Sequence, residues 1–117
     1  MSISKITSET IATSPTIFAS GRKGYQIPGD TKLKSPAAYV RGELVKYNSS
    51  TGLYEALDDI DNLAGVLLND YDASEETQFA VIHQYCDLDR DNLTCALVSP
   101  IPLGSYNYGV RIMEVNS

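Results

Sequence analysis

The sequence predicts a mainly β domain with one short helical piece and an extended N-terminal arm. Three observations predict this class. Residues 39–68 hold three short apolar runs separated by turn formers, residues 77–85 alternate between opposite faces, and eight Tyr stand against two Phe and no Trp. Tyr suits half-buried strand positions, because its ring packs while its hydroxyl stays wet. At 117 residues, 43% of them hydrophobic, the chain has room for one domain with an ordinary core.

The arm comes first. Residues 1–24 are rich in Ser and Thr, Pro15 interrupts them, and Gly21 and Gly24 flank Arg22-Lys23. Ile3, Ile6, Ile11, Ile17 and Phe18 are spread through the segment, where β-branched residues favour extended backbone. An extended, moderately apolar tail with nothing of its own to pair with is suited to adding a strand to another protein's sheet edge. The expected division is an arm over residues 1–24 and a β-rich body over residues 25–117.

Pro28, Gly29 and Pro36 make residues 25–36 rich in turns. Leu44, Val45 and Tyr47 then lead into Asn48-Ser49-Ser50-Thr51-Gly52, with Gly52 placed for a positive φ. Leu53, Tyr54 and Leu57 return, and the acidic run Asp58-Asp59-Ile60-Asp61-Asn62 turns the chain again. Residues 63–68 are apolar without alternation, as a strand covered on both faces requires. Gly65 inside that run marks a bulge or a close backbone approach.

The stretch 77–85 is expected to be one strand, with Phe79, Val81, His83 and Tyr85 on one face and Gln78, Ala80, Ile82 and Gln84 on the other. Asp87, Asp89 and Asp91 are spaced like the start of a calcium loop. Asn92, however, replaces the loop glycine, and Val98 stands where a bidentate Glu is needed. A short helical turn burying Leu88 and Leu93 fits better, and Asp58, Asp59 and Asp61 read as a solvated turn. A strand is expected over residues 94–99, an irregular excursion at Pro100 and Pro102, and a closing strand over 108–115. In that last strand Val110 and Ile112 share one side, Met113 and Val115 the other.

The net charge of −6 is unevenly spread: residues 1–35 carry +3 and residues 36–117 carry −9. So acidic a body repels phosphate backbones, which argues against nucleic-acid binding. No run approaches the roughly 20 apolar residues that span a bilayer, and no apolar h-region opens the chain, so cytosolic synthesis is expected. Cys86 and Cys95 are expected as free, buried thiols. The sequence offers no phosphate-cradling glycine loop and no paired carboxylates in a catalytic arrangement, and no cofactor or metal is expected.

One succession of motifs is informative when taken together. An extended arm precedes Gly42-Glu43-Leu44-Val45, then a turn and a second strand, then Ala64-Gly65-Val66-Leu67. A polar stretch leads to a strand and helical piece over residues 77–93, and Gly109-Val110-Arg111-Ile112 begins the close. Over roughly residues 28–115 this resembles the head decoration proteins of tailed bacteriophages, of the lambda gpD type. The resemblance implies a small barrel-like domain of the β-tulip type that forms homotrimers. It further implies a non-enzymatic protein on the outer surface of the virion, made in the host cytoplasm. There it would stabilise the capsid at local three-fold positions of the expanded phage head, its arm paired with the major capsid protein. Ile3, Ile6, Ile11, Ile17 and Phe18 are the expected capsid-binding anchors. The longer stretch from Arg22 to Pro36 and the two cysteines depart from that pattern.

Two other function classes stay open on the residues alone. One is a small β-barrel module that binds a host-surface glycan or protein through Tyr71, Tyr106 and Tyr108. The other is a thiol enzyme pairing Cys86 or Cys95 with His83, which would require an accessible thiolate of lowered pKa.

Overall fold

A computed structural model describes residues 17–115, which are mainly β, with only single 3-10 turns as helix. The organising element is β4 (Leu44–Asn48), with β5 (Leu53–Ala56) on one side and β6 (Leu63–Leu67) on the other. The three expected strands therefore all form, but the middle place belongs to β4 rather than β5. Leu44 joins one buried cluster and Val45 the other, so β4 is covered on both faces and has to lie inside the sheet. Gly52 turns the β4–β5 hairpin at φ 74°.

β6 is buried at every position. Leu63 and Val66 face one cluster and Leu67 the other, and the three-residue step between the first two is possible because the β4–β6 register shifts between Val45 and Lys46. Gly65 sits at that irregularity. A Cβ there would lie 2.5 Å from Ile82 Cγ2 and 2.9 Å from the His83 carbonyl oxygen, so both reasons for a glycine apply at once.

Outward from this centre, β1 (Tyr25–Gln26), β2 (Lys32–Leu33), β8 (Gln78–Phe79) and β9 (Ile82–Gln84) complete a seven-stranded sheet in the order β1-β9-β6-β4-β5-β2-β8. β1 pairs with β9 and β2 with β8, both antiparallel, so one broken ribbon serves the two opposite ends of the sheet. The sheet must curl to allow this. Pro28 and Gly29 interrupt the ribbon on one side and Ala80-Val81 on the other, where Thr31 donates its hydroxyl to the Ala80 carbonyl at 2.5 Å. Among the described residues no closed barrel results.

The interruption corrects the single strand expected over 77–85. Ala80 and Ile82 form the buried side, while Phe79 is 58% exposed beneath the Lys32 ammonium and Tyr85 leaves the strand at φ 58°. The stretch 94–99 is not a strand either. Thr94 makes one bridge to Glu43, after which the chain turns and leaves Leu97 66% exposed.

A second, three-stranded sheet is built from β10 (Asp87–Asp89), β11 (Gly104–Ser105) and β12 (Arg111–Met113), in the order β10-β12-β11. Leu88 is therefore buried from a strand, and the expected helical turn is shortened to Arg90–Asn92, capped by the Asp89 carboxylate. The expected closing strand shrinks likewise to β12, and Val110, just ahead of it, and Ile112 are both buried. β3 (Ala37–Tyr39) and β7 (Tyr71–Ala73) form a separate antiparallel pair.

Two buried clusters follow from this layering. Leu33, Val45, Leu67 and Ile82 fill the inside of the curl, with Tyr39 and Ala73 from the β3–β7 pair. Leu44, Leu63 and Val66 meet Leu88, Val110 and Ile112 between the two sheets.

Candidate interaction surface

The expected arm anchors separate into two groups. Ile3, Ile6 and Ile11 lie outside the described residues. Ile17 and Phe18 are inside them, and both belong to the body. Ile17 is 1% exposed within the cluster between the sheets, and Phe18 forms an antiparallel bridge to Leu88. Ala19 N–H donates to the Asp87 carbonyl, Asp89 N–H to that of Ile17 and Asp87 N–H to that of Arg22, each at 2.9 Å. Residues 17–22 thus run along β10 as an added edge. Ile17 buries its side chain in its own domain and is not a surface anchor, which moves the edge of the packed body from the expected residue 25 back to Ile17.

One buried carboxylate locks this edge. Asp87, 2% exposed, accepts from Arg22 Nη1 at 2.8 Å, from Arg111 Nη2 at 2.7 Å and Nε at 3.1 Å, and from the Ser20 hydroxyl at 2.9 Å. The two guanidiniums and the hydroxyl outweigh the burial that opposes charge, and they hold the carboxyl down at about 2. Arg22, counted with the basic leader on sequence alone, is thereby an internal counter-charge. Residues 1–16 carry one Lys and one Glu, so the leader loses its basic character once the boundary is moved, and the body keeps the whole −6.

The tyrosines named from the sequence also separate. Tyr71 accepts the Val81 N–H at 3.0 Å, and Tyr106 donates to the Pro102 carbonyl at 2.9 Å, so both hydroxyls serve the fold. Tyr108 is different: it is 50% exposed, inside the 3-10 turn Asn107–Gly109, at φ 59° and ψ 31°. Its carbonyl accepts from Tyr85 N–H at 2.9 Å, and Tyr85 is itself left-handed at φ 58°. Gly109 is required beside them, since a Cβ there would strike the Tyr85 ring.

Tyr108 lines an open cleft of about 370 Å³ together with Tyr47 on β4. Asn48, Ser49, Asn62 and Asn107 supply its polar lining, and Ala64 lines it too. Tyr47, 47% exposed, is braced by Tyr54 at a ring separation of 4.9 Å. Burial first, and then the neighbouring Tyr47 and Tyr108 phenols, raise the Tyr54 pKa, so these three hydroxyls are grouped. Tyr47 and Asn62 were not identifiable as site residues from the sequence, because pairing of β4 with β6 and the turn before it brings them to Tyr108. Their only local signal was a tyrosine beside a polar turn.

Cys86 and Cys95 are free and buried. Burial pushes the Cys86 thiol up to about 11, and Cys95 donates its S–H to the Leu57 carbonyl at 3.2 Å while burial raises it too. His83 Nδ1 lies 3.2 Å from the Lys23 carbonyl, and its ring is 6.0 Å from that of Phe18. Neither thiol is placed as a reactive thiolate. Iodoacetamide at pH 8 is expected to leave both cysteines unlabelled in the native protein and to label both in urea, as read by intact mass.

The carboxylates singled out on sequence serve local structure: Asp59 caps the turn Ile60–Asn62 through Asp61 N–H at 3.0 Å, and Asp89 accepts from Asp91 N–H at 3.2 Å. Comparison of the chain with protein-family models, with curated proteins and with solved structures finds no match in any of the three.

Proposed function

We propose that this chain is a head decoration protein of a tailed bacteriophage, a non-enzymatic homotrimer that stabilises the expanded capsid. The observation that carries the proposal is the anchored root of the leader at residues 17–22. A clamp has to pass load from its binding segment to its body. Here the segment ahead of residue 17 joins the body through a buried isoleucine, three backbone hydrogen bonds and a doubly ion-paired carboxylate. The capsid-binding arm is then residues 1–16, with Ile3, Ile6 and Ile11 as anchors and its backbone adding a strand to the major capsid protein.

The curled sheet with a smaller sheet packed on it suits a tulip-like relative of a barrel, which is the domain type of the decoration proteins that the motif order resembles. Ordering an arm on binding costs on the order of 2–5 kcal/mol. Three arms on one trimer offset this, because after the first docks the others bind at high effective concentration. The acidic body keeps free trimers soluble and away from DNA.

The test is co-sedimentation with expanded heads of the parent phage. Deletion of residues 2–16 is expected to leave the urea midpoint of the body unchanged and to abolish co-sedimentation. A deleted form that still decorates heads at full occupancy would overturn the proposal.

A further inference from the structure

We propose that the cleft between Tyr47 and Tyr108 is a binding site for a neutral saccharide. This is independent of capsid decoration and concerns the opposite kind of surface, a small polar cleft rather than an extended arm. Its volume of about 370 Å³ lies at the lower end of the roughly 300–1,000 Å³ typical of small-molecule sites.

The chemistry of the lining selects the ligand class. Two half-exposed tyrosines, Tyr47 and Tyr108, line the cleft, and a tyrosine offers an apolar ring face with a polar tip, which matches the alternating C–H faces and hydroxyl edges of a sugar. The lining also holds side-chain amides and a hydroxyl, which both donate and accept, although the Asn48 amide is already engaged by Glu55 and the Ser50 N–H. Among the described residues, the Asn62 amide and the Ser49 hydroxyl have no hydrogen-bonding partner. Asn107 uses its N–H on the Asp61 carbonyl at 2.7 Å, which leaves its amide oxygen as an acceptor. The one cation at the rim, Lys46, is neutralised by Asp58 at 3.0 Å and Glu55 at 3.7 Å. A phosphate or carboxylate ligand would therefore find no unpaired positive charge, and a cationic ligand would find no carboxylate in the lining.

Backbone strain is the second, independent observation. A left-handed conformation is unfavourable for a residue with a Cβ, and glycine or asparagine would fit position 108 better. Tyr108 nevertheless occupies it, held by the Tyr85 N–H, and the result is an aromatic ring at the wall of the cleft. Strained residues of this kind collect at ligand sites, where the surroundings fix a side chain in advance. A pre-set ring loses less freedom on binding.

The experiment is saturation-transfer difference NMR on the full chain, with maltotriose and N,N′-diacetylchitobiose as neutral probes and glucose 1-phosphate as the anionic control. At least one neutral probe is expected to bind, with a dissociation constant on the order of 1 mM, and to take saturation through its ring protons. Tyr108→Gly suits the left-handed backbone and removes the ring without a folding penalty. It is expected to weaken binding by about tenfold or more, with Asn62→Ala doing likewise. Tyr25→Ala, outside the cleft lining, is expected to bind as the parent does. Absence of transfer from both neutral probes, preference for the phosphorylated control, or undiminished binding by Tyr108→Gly would each overturn the assignment.

Discussion

Replacing Ile17 with alanine is expected to destabilise the protein by about 3 kcal/mol, as read from urea denaturation. Ile17 is 1% exposed and packs among Leu44, Leu88 and Ile112 between the two sheets. Its truncation removes apolar contacts and leaves a cavity whose walls, β4, β10 and β12, are fixed by their own ladders. The midpoint should fall with the m-value unchanged. The result separates a leader root that belongs to the fold from one that merely lies against it, since a surface leader would give less than about 0.5 kcal/mol. By the same logic, a deletion that runs past residue 16 into Ile17 should damage folding as well as any binding.

Replacing Asp87 with alanine is expected to cost about 1–2 kcal/mol, because it takes the shared acceptor from two guanidiniums and a hydroxyl, while the half-exposed Arg22 and Arg111 side chains recover water in its place. The pH dependence follows from the direction of the shift. Asp87 titrates at about 2 in the folded protein against an ordinary 3.8, so the folded state favours the charged form. Its contribution is fully present above the ordinary value and is lost as the pH falls from about 4 towards 2. Asp87→Asn should remove that part of the acid sensitivity, giving a flatter stability profile between pH 4 and 2 than the parent. An unchanged profile would mean that the Arg22 and Arg111 contacts do not favour the charged carboxylate.

How far the sequence discloses this fold depends on how local each signal is. The hairpin at Gly52 and the double coverage of residues 63–67 are written in adjacent residues, and both are found. Gly65 is legible as an exception, although only the neighbouring strand explains it, through Ile82 and His83. The stretch 77–85 misleads because alternation alone cannot register that the Ala80 carbonyl is taken by Thr31, which breaks the ribbon and puts Phe79 outside. Thr94 to Ser99 misleads for a related reason: its β-branched residues suit a strand, yet Thr94 finds only Glu43 to pair with.

The division of the leader at residue 17 has no local signal in the sequence. Ser, Thr and Gly around Arg22 look like a tail, and the residues that fix the root, Leu88, Asp87 and Arg111, are far along the chain. The candidate cleft was half visible. Tyr108 beside Gly109 in an irregular stretch stands out, whereas Tyr47 and Asn62 become its neighbours only through non-local pairing.

The most direct measurement is cryo-electron microscopy of expanded heads of the parent phage incubated with the full chain. The predicted image has a trimer of compact β bodies over each local three-fold position, with residues 1–16 of every copy laid as an extra strand along the major capsid protein. Heads that remain bare at those positions, or carry the bodies with the leader folded back on its own domain, would contradict it.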